Sequence, residues 1–209
     1  MKRRLIFRAD ANETIGRGHL SRCLAIADML KNDFEILFVS YEENKSYIER
    51  LSIPYLFEAI ISDASFFDFV NQDDIIWLDG YGFDEDFKVN LRSRIFKLIE
   101  TNDLPYKVKN VDLLFNHTPA LKEEQFDVVD SKVKLYLGLN YALLRSAFLE
   151  KAKNHQESPS GSGIFVCFGG ADNFDLGFRF VQGLVENNFE DAIYWVSNKP
   201  KEELPELGE

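Results

Sequence analysis

The run DIIWLDG at 74–80 is apolar at four consecutive positions, so a strand built from it has no face to turn toward water. A strand of that kind belongs inside a sheet covered on both sides, and such sheets are parallel with helices packed on each face. The surrounding sequence alternates in the same sense. RLIFRAD (4–10) precedes a helical pattern over 18–31, on which Leu20, Cys23, Leu24, Ala27 and Leu30 share one face. FEILFVS (34–40) precedes ENKSYIERL (43–51), and PYLFEAI (54–60), a weaker strand pattern, precedes DASFFDFV (63–70). After 74–80 come a helix in DEDFKVNLRSR (84–94) and two further strands, IFKLIE (95–100) and VDLLFNH (111–117). The expected fold class is α/β, a Rossmann-like parallel sheet.

A polar stretch, EKAKNHQESPSGSG (150–163), then breaks the pattern and reads as a linker. Beyond it one more βαβ unit is expected: GIFVCFGGAD (163–172), a helix near 175–187, and AIYWVSN (192–198). The organisation read from this is a first domain over 1–150, a linker over 151–163 and the start of a second Rossmann-like domain over 164–209. A single βαβ buries too little to stand alone. Either it packs on the first domain, or a second domain is incomplete, with a partner chain or a missing C-terminal segment completing it.

Charge narrows the partners. The net charge is −11 and the isoelectric point near 4.8, which argues against nucleic-acid binding. Any phosphate-bearing ligand must be held locally. No apolar run approaches the length of a membrane span, and MKRRLIF is interrupted by Asp10 and Asn12 before a signal-peptide core can form. The two cysteines, Cys23 and Cys167, lie far apart in apolar runs and read as core residues of a reducing compartment. A cytoplasmic protein with no membrane association is expected.

Ligands of open parallel sheets bind at the carboxyl ends of strands, and Asp10, Asp79, Tyr81 and Asn116 all fall at or just after such ends. The first of these ends runs into RADANETIGRGHLSRCLAIADML (8–30). Gly16 and Gly18 allow backbone amides to approach an anion, and the following helix adds its positive end. The spacing is neither the P-loop nor the dinucleotide fingerprint, and a simple tight turn would use the same glycines. His19 opens the helix and Arg22 stands one turn along it. Both the helix terminus and Arg22 disfavour a protonated His19, and a neutral histidine is a competent general base. Capping or solvent exposure is the alternative for His19. For Arg22 the choices are an ion pair with Asp10 or Glu13, or a clamp on a diphosphate.

This segment resembles the N-terminal motif of the UDP-sugar hydrolases of pseudaminic acid biosynthesis, which hydrolyse UDP-2,4-diacetamido-2,4,6-trideoxy-β-L-altropyranose. WLDGYGFD (77–84), VDLLFNH (111–117), LGLNYALLRSAF (137–148) and FVCFGGAD (165–172) follow in the order of that family. The resemblance implies a GT-B architecture of two Rossmann-like domains facing across a cleft. It also implies hydrolysis with inversion at the anomeric carbon, with no cofactor and no metal. By match to the motif, His19 would be the base that activates water.

Other matched residues would contact substrate. Asp10 and Asn12 would position the base loop or meet the sugar, and Tyr81 would touch the sugar or pack at the rim. Tyr141 and Arg145, four apart on an expected helix, would contact substrate or brace the interdomain joint. Gly169 and Gly170 suit close approach of a phosphate, and Asp172 is a helix cap or a ligand contact. Gly80 and Asn102 depart from the family pattern at positions where histidine and aspartate are usual, whereas Asp103 is retained. Two rivals share these features: a GT-B glycosyltransferase using a UDP-sugar donor for surface polysaccharide, and a non-catalytic protein that binds a partner. A metal enzyme is disfavoured, because His19, His117 and His155 are isolated in sequence. The acidic runs DEDF (84–87) and KEEQFD (122–127) read as solvated helix faces.

Overall fold

Two strands at the centre of the sheet, β1 (Arg4–Ala9) and β4 (Ile75–Asp79), run parallel in a register that sets Ala9 beside Asp79. The structure is a computed structural model that describes residues 2–119, 121–154, 163–169, 172 and 174–197. Between β1 and β4 the chain forms α1 (Gly18–Leu30), β2 (Glu35–Tyr41), α2 (Lys45–Arg50), β3 (Leu56–Ile60) and α3 (Asp63–Phe69). After β4 come α4 (Glu85–Arg92), β5 (Lys97–Thr101), β6 (Lys107–Val108), β7 (Leu113–Asn116), β8 (Asp127–Val128) and β9 (Lys134–Leu137). Seven strands make one parallel sheet in the order β3-β2-β1-β4-β5-β7-β9, while β6 and β8 pair separately. The order reverses between β1 and β4, which makes their carboxyl ends the switch point of the fold.

Strand alternation divides the core into two layers. Leu5, Phe7, Trp77 and Ile99 pack toward α1, meeting Leu20, Cys23, Ile26 and Ala27. Ile6, Ile76, Leu78, Leu98 and Leu114 pack on the other side against Phe66 of α3 and Phe87 and Leu91 of α4. Each such Leu, Ile or Phe contributes roughly 1.5–3 kcal/mol by leaving water. By the same alternation Arg8 lies on the α3–α4 side of β1 and Asp79 on the α1 side of β4. Helix α1 is thereby pressed across the switch point by its own apolar face.

A last stretch holds α5 (Ser146–Lys153), β10 (Ile164–Cys167), α6 (Leu176–Glu186) and β11 (Ile193–Val196), with β10 and β11 forming a separate parallel pair. This is the expected βαβ. Three expectations need correction. Strand β9 was not expected: KLYL is only half-buried at the sheet edge, so it lacks the continuous apolar signature of β4. Residues 150–153 belong to α5 and not to a linker, and 155–162 lie outside the described residues. Cys167 is exposed and not a core residue, because it lies on the uncovered side of a two-stranded sheet; Cys23 is buried as expected. Among the described residues no helix is long and apolar enough to cross a membrane.

Candidate active site

The loop from β1 to α1 is held by its own asparagine. Asn12 Oδ1 accepts the amides of Thr14 (2.9 Å) and Ile15 (2.8 Å), and the Asn12 carbonyl accepts the Gly16 amide at 2.8 Å. Gly16 takes a φ of 75°, a conformation that costs a side chain but not glycine. Its own amide is therefore committed inside the loop. Gly18 differs: a Cβ there would meet nothing within 4 Å, so its backbone faces open space. Helix α1 has no side-chain N-cap and no acid in its first turn. Its first amides are left for a partner from outside the helix.

His19, in that first turn, turns its Nδ1 to Asp79 Oδ1 at 2.7 Å. Ionised Asp79 can only accept, so Nδ1 carries the hydrogen and donates it. Arg22 binds the same carboxylate with both sides of its fork, Nε to Oδ2 at 3.0 Å and Nη2 to Oδ1 at 2.6 Å. The 3.1 Å approach of Arg22 Nη2 to His19 Nδ1 is thus two donors converging on one oxygen. Arg22 Nη1 also donates to Asp103 Oδ1, in the loop after β5. Tyr81 completes the rim: its ring stands edge-on to His19 at 4.9 Å, and its hydroxyl donates to Asp103 Oδ2 at 3.3 Å.

The electrostatics follow from this chain of contacts. Burial alone would lower the pKa of Arg22, but hydrogen bonds and charge from Asp79, and then Asp103, hold it above the ordinary range. Burial pushes Asp103 up, and the hydrogen bond and charge of Arg22 outweigh it, so its carboxyl titrates below the usual range. Burial, then the Asp79 charge, raises the thiol of Cys23, whose Sγ lies 3.9 Å from Asp79 Oδ2. Burial, then the Asp103 charge, likewise raises the phenol of Tyr81. Asp79 is fully buried, whereas the His19 side chain keeps 12% of its surface and its Nε2 has no partner among the described residues. The arrangement is a histidine oriented by a buried carboxylate, with its second nitrogen free to take a proton.

The expected site residues fall into three groups. His19, Arg22 and Tyr81 meet at the switch point, with Asp10, Asn12, Gly16 and Gly18 in or beside the loop that feeds it. The partners expected for Arg22, Asp10 or Glu13, are corrected to Asp79 and Asp103. Asn116, at the end of β7, is fully buried; its Oδ1 accepts the Thr118 amide at 2.8 Å and its Nδ2 has no partner among the described residues. Tyr141 and Arg145 do not share a helix. Tyr141 ends a single 3-10 turn and packs on Tyr136 and Phe115, whereas Arg145 precedes α5 and lies over Phe148 at 5.1 Å. Arg145 lines a cavity of about 340 Å3 with Leu24, Asp28 and Tyr55, further along α1 from His19.

In the β10–α6 turn, Gly169 has a φ of 79°, and Gly170 lies outside the described residues. Asp172 caps α6, accepting the amides of Leu176 and Gly177 at 2.9 Å each. Asp79 was expected only as a strand-end residue and Asp103 only as a retained family position; their pairing with His19 and Arg22 was not expected. The acid ending DIIWLDG at the sheet centre was the signal for Asp79, since a buried strand has no other reason to end in a charge.

No protein-family model matches the chain. Over 187 residues it is 26% identical to UDP-2,4-diacetamido-2,4,6-trideoxy-beta-L-altropyranose hydrolase of Campylobacter jejuni, covering 87% of this chain and 65% of that protein. Over 192 residues it is 25% identical to an uncharacterised protein of Methanocaldococcus jannaschii, covering 86% of this chain and 39% of that protein. The chain thus spans less than two thirds of the length of either relative.

Proposed function

We propose that the chain is the base-bearing part of a nucleotide-sugar hydrolase that releases UDP from a UDP-2,4-diacetamido-2,4,6-trideoxy sugar. The observation that carries this reading is the His19–Asp79 pair at the switch point, next to a helix terminus left uncapped. The distant likeness to a UDP-sugar hydrolase supports the same class of substrate. In this mechanism Asp79 accepts from Nδ1 and fixes the ring, so Nε2 presents its lone pair to a water molecule. The water proton passes to Nε2 as its oxygen bonds the anomeric carbon. The bond from that carbon to the diphosphate oxygen breaks, and its electron pair leaves with UDP. Attack from the face opposite the leaving group inverts the anomeric centre.

Uncapped amides at the start of α1 would meet the departing charge, and Arg22, tied to two carboxylates, holds Asp79 in place more than it offers itself to phosphate. UDP is a good leaving group, so base, diphosphate site and sugar position together suffice. The free diacetamido sugar would feed nonulosonate (pseudaminic acid) formation. The test is hydrolysis in 18O-labelled water with no acceptor added, followed by mass spectrometry and NMR. Label in the sugar, with inverted configuration, is expected. Label in UDP would place attack at phosphorus, and release only on adding an acceptor would make the protein a transferase.

A further inference from the structure

Arg8 and Asp10 form an ion pair that proton transfer at His19 does not use. Arg8 is fully buried on β1, its guanidinium stacked over Tyr41 at 4.3 Å and near Phe83 at 5.3 Å. Among the described residues only Nη1 of its nitrogens has a hydrogen-bond partner, Asp10 Oδ1 at 2.7 Å; Nε and Nη2 are buried without one there. A buried cation with one hydrogen bond is costly, and apolar residues in its place would serve stability as well or better. Its retention at the carboxyl edge points to a task other than stability.

That task is legible on Asp10. Its Oδ1 accepts from Arg8 Nη1, the Ser40 hydroxyl (2.7 Å), Asn44 Nδ2 (3.1 Å) and the Tyr41 amide (3.4 Å). One oxygen is saturated, which locks the carboxyl plane. The other, Oδ2, has no partner among the described residues, and the side chain keeps 22% of its surface. Asn44 also accepts Asn12 Nδ2 at 2.9 Å, so the same cluster ties down the loop that precedes His19. Ala9 pairs with Asp79, so Asp10 leaves β1 at the same carboxyl edge where β4 ends in the carboxylate that orients His19.

We propose that Asp10 is a substrate-recognition residue whose Oδ2 accepts a hydrogen bond from a donor on the sugar, an acetamido N–H or a ring hydroxyl. Arg8 is the positioning residue that fixes its carboxylate. This rests on the nucleotide-sugar reading of the site. Asp10→Asn keeps the shape. Its oxygen stays beneath the four donors, so the cleft receives an N–H donor where it had an acceptor.

The experiment compares the diacetamido UDP-sugar with three analogues, 2-acetoxy, 4-acetoxy and 3-O-methyl, each lacking one donor. Binding and UDP release are measured for wild type, Asp10→Asn and Arg8→Lys. For wild type, one analogue is expected to lose about 10- to 100-fold in kcat/KM, the worth of a hydrogen bond to a charged group. Asp10→Asn erases that discrimination and Arg8→Lys reduces it, a change that lost stability alone does not produce. Equal treatment of all four sugars by wild type overturns the proposal by itself, whether or not the variants fold. Discrimination that survives in folded Asp10→Asn overturns it too, and discrimination unchanged in Arg8→Lys overturns the part given to Arg8. No binding and no release of the parent sugar overturns the hydrolase reading as well.

Discussion

Two strand-to-helix turns, β1 into α1 and β10 into α6, carry glycines of positive φ, Gly16 at 75° and Gly169 at 79°, and treat the helix that follows in opposite ways. In the second, Asp172 covers the first amides of α6 with both carboxylate oxygens. In the first, Asn12 spends its oxygen inside the loop, and α1 begins with no side-chain cap and no acid. A helix start satisfied by its own carboxylate has no amides to offer an anion; one left uncapped does. The contrast extends to the side chains beyond. His19 and Arg22 on α1 are drawn onto Asp79 and Asp103, whereas Phe180 of α6 is exposed and Trp195 packs by Phe178. The described chemistry is concentrated at the first turn.

The sharpest way to break this contrast is at Asp79. Asp79→Asn removes the charge that orients His19 and pairs Arg22, and is expected to lower kcat by about 10²- to 10⁴-fold. It should also lower the unfolding midpoint, since Arg22 then keeps only Asp103. Full activity in Asp79→Asn would separate the histidine from its carboxylate. Next, Arg22→Lys keeps the charge but cannot fork between two carboxylates; a loss of about 10- to 100-fold in kcat/KM is expected. At the second turn, Asp172→Ala is expected to cost about 1 kcal/mol in urea unfolding, the worth of a helix cap. A loss of UDP release as large as that of Arg22→Lys would make the two turns equivalent and end the comparison.

The smallest effect belongs to pH. Asp103 titrates below its unfolded value of about 3.9, so it adds stability above that pH and loses it as pH falls through the lower folded value. Asp103→Asn should therefore be less stable than wild type near neutral pH, with the gap closing as pH falls below the ordinary carboxylate range and through the lowered folded value. A gap that persists in acid would mean that Asp103 acts through packing instead of charge.

Sequence pattern made the central strands, α1 and the position of His19 readable, because each rests on local periodicity or on glycine and helix-start chemistry. The partners of α1 were not readable in the same way. Asp79 lies 60 residues from His19 and Asp103 lies 81 from Arg22, so only the sheet order brings them together. Short-range arguments instead paired Arg22 with Asp10 or Glu13. Edge elements were hard for a different reason. Strand β9 and the 139–145 segment are half-buried or exposed, and partial burial weakens the period that marks a strand or a helix.

The central claim is that His19, oriented by Asp79, activates water on a UDP-sugar. It is tested most directly by UDP release from UDP-2,4-diacetamido-2,4,6-trideoxy-β-L-altropyranose, with wild type and His19→Ala side by side and no acceptor or metal added. A fall of about 10²- to 10⁴-fold in a variant that keeps its fold is expected. Equal release by both proteins, or none from folded wild type, would contradict it.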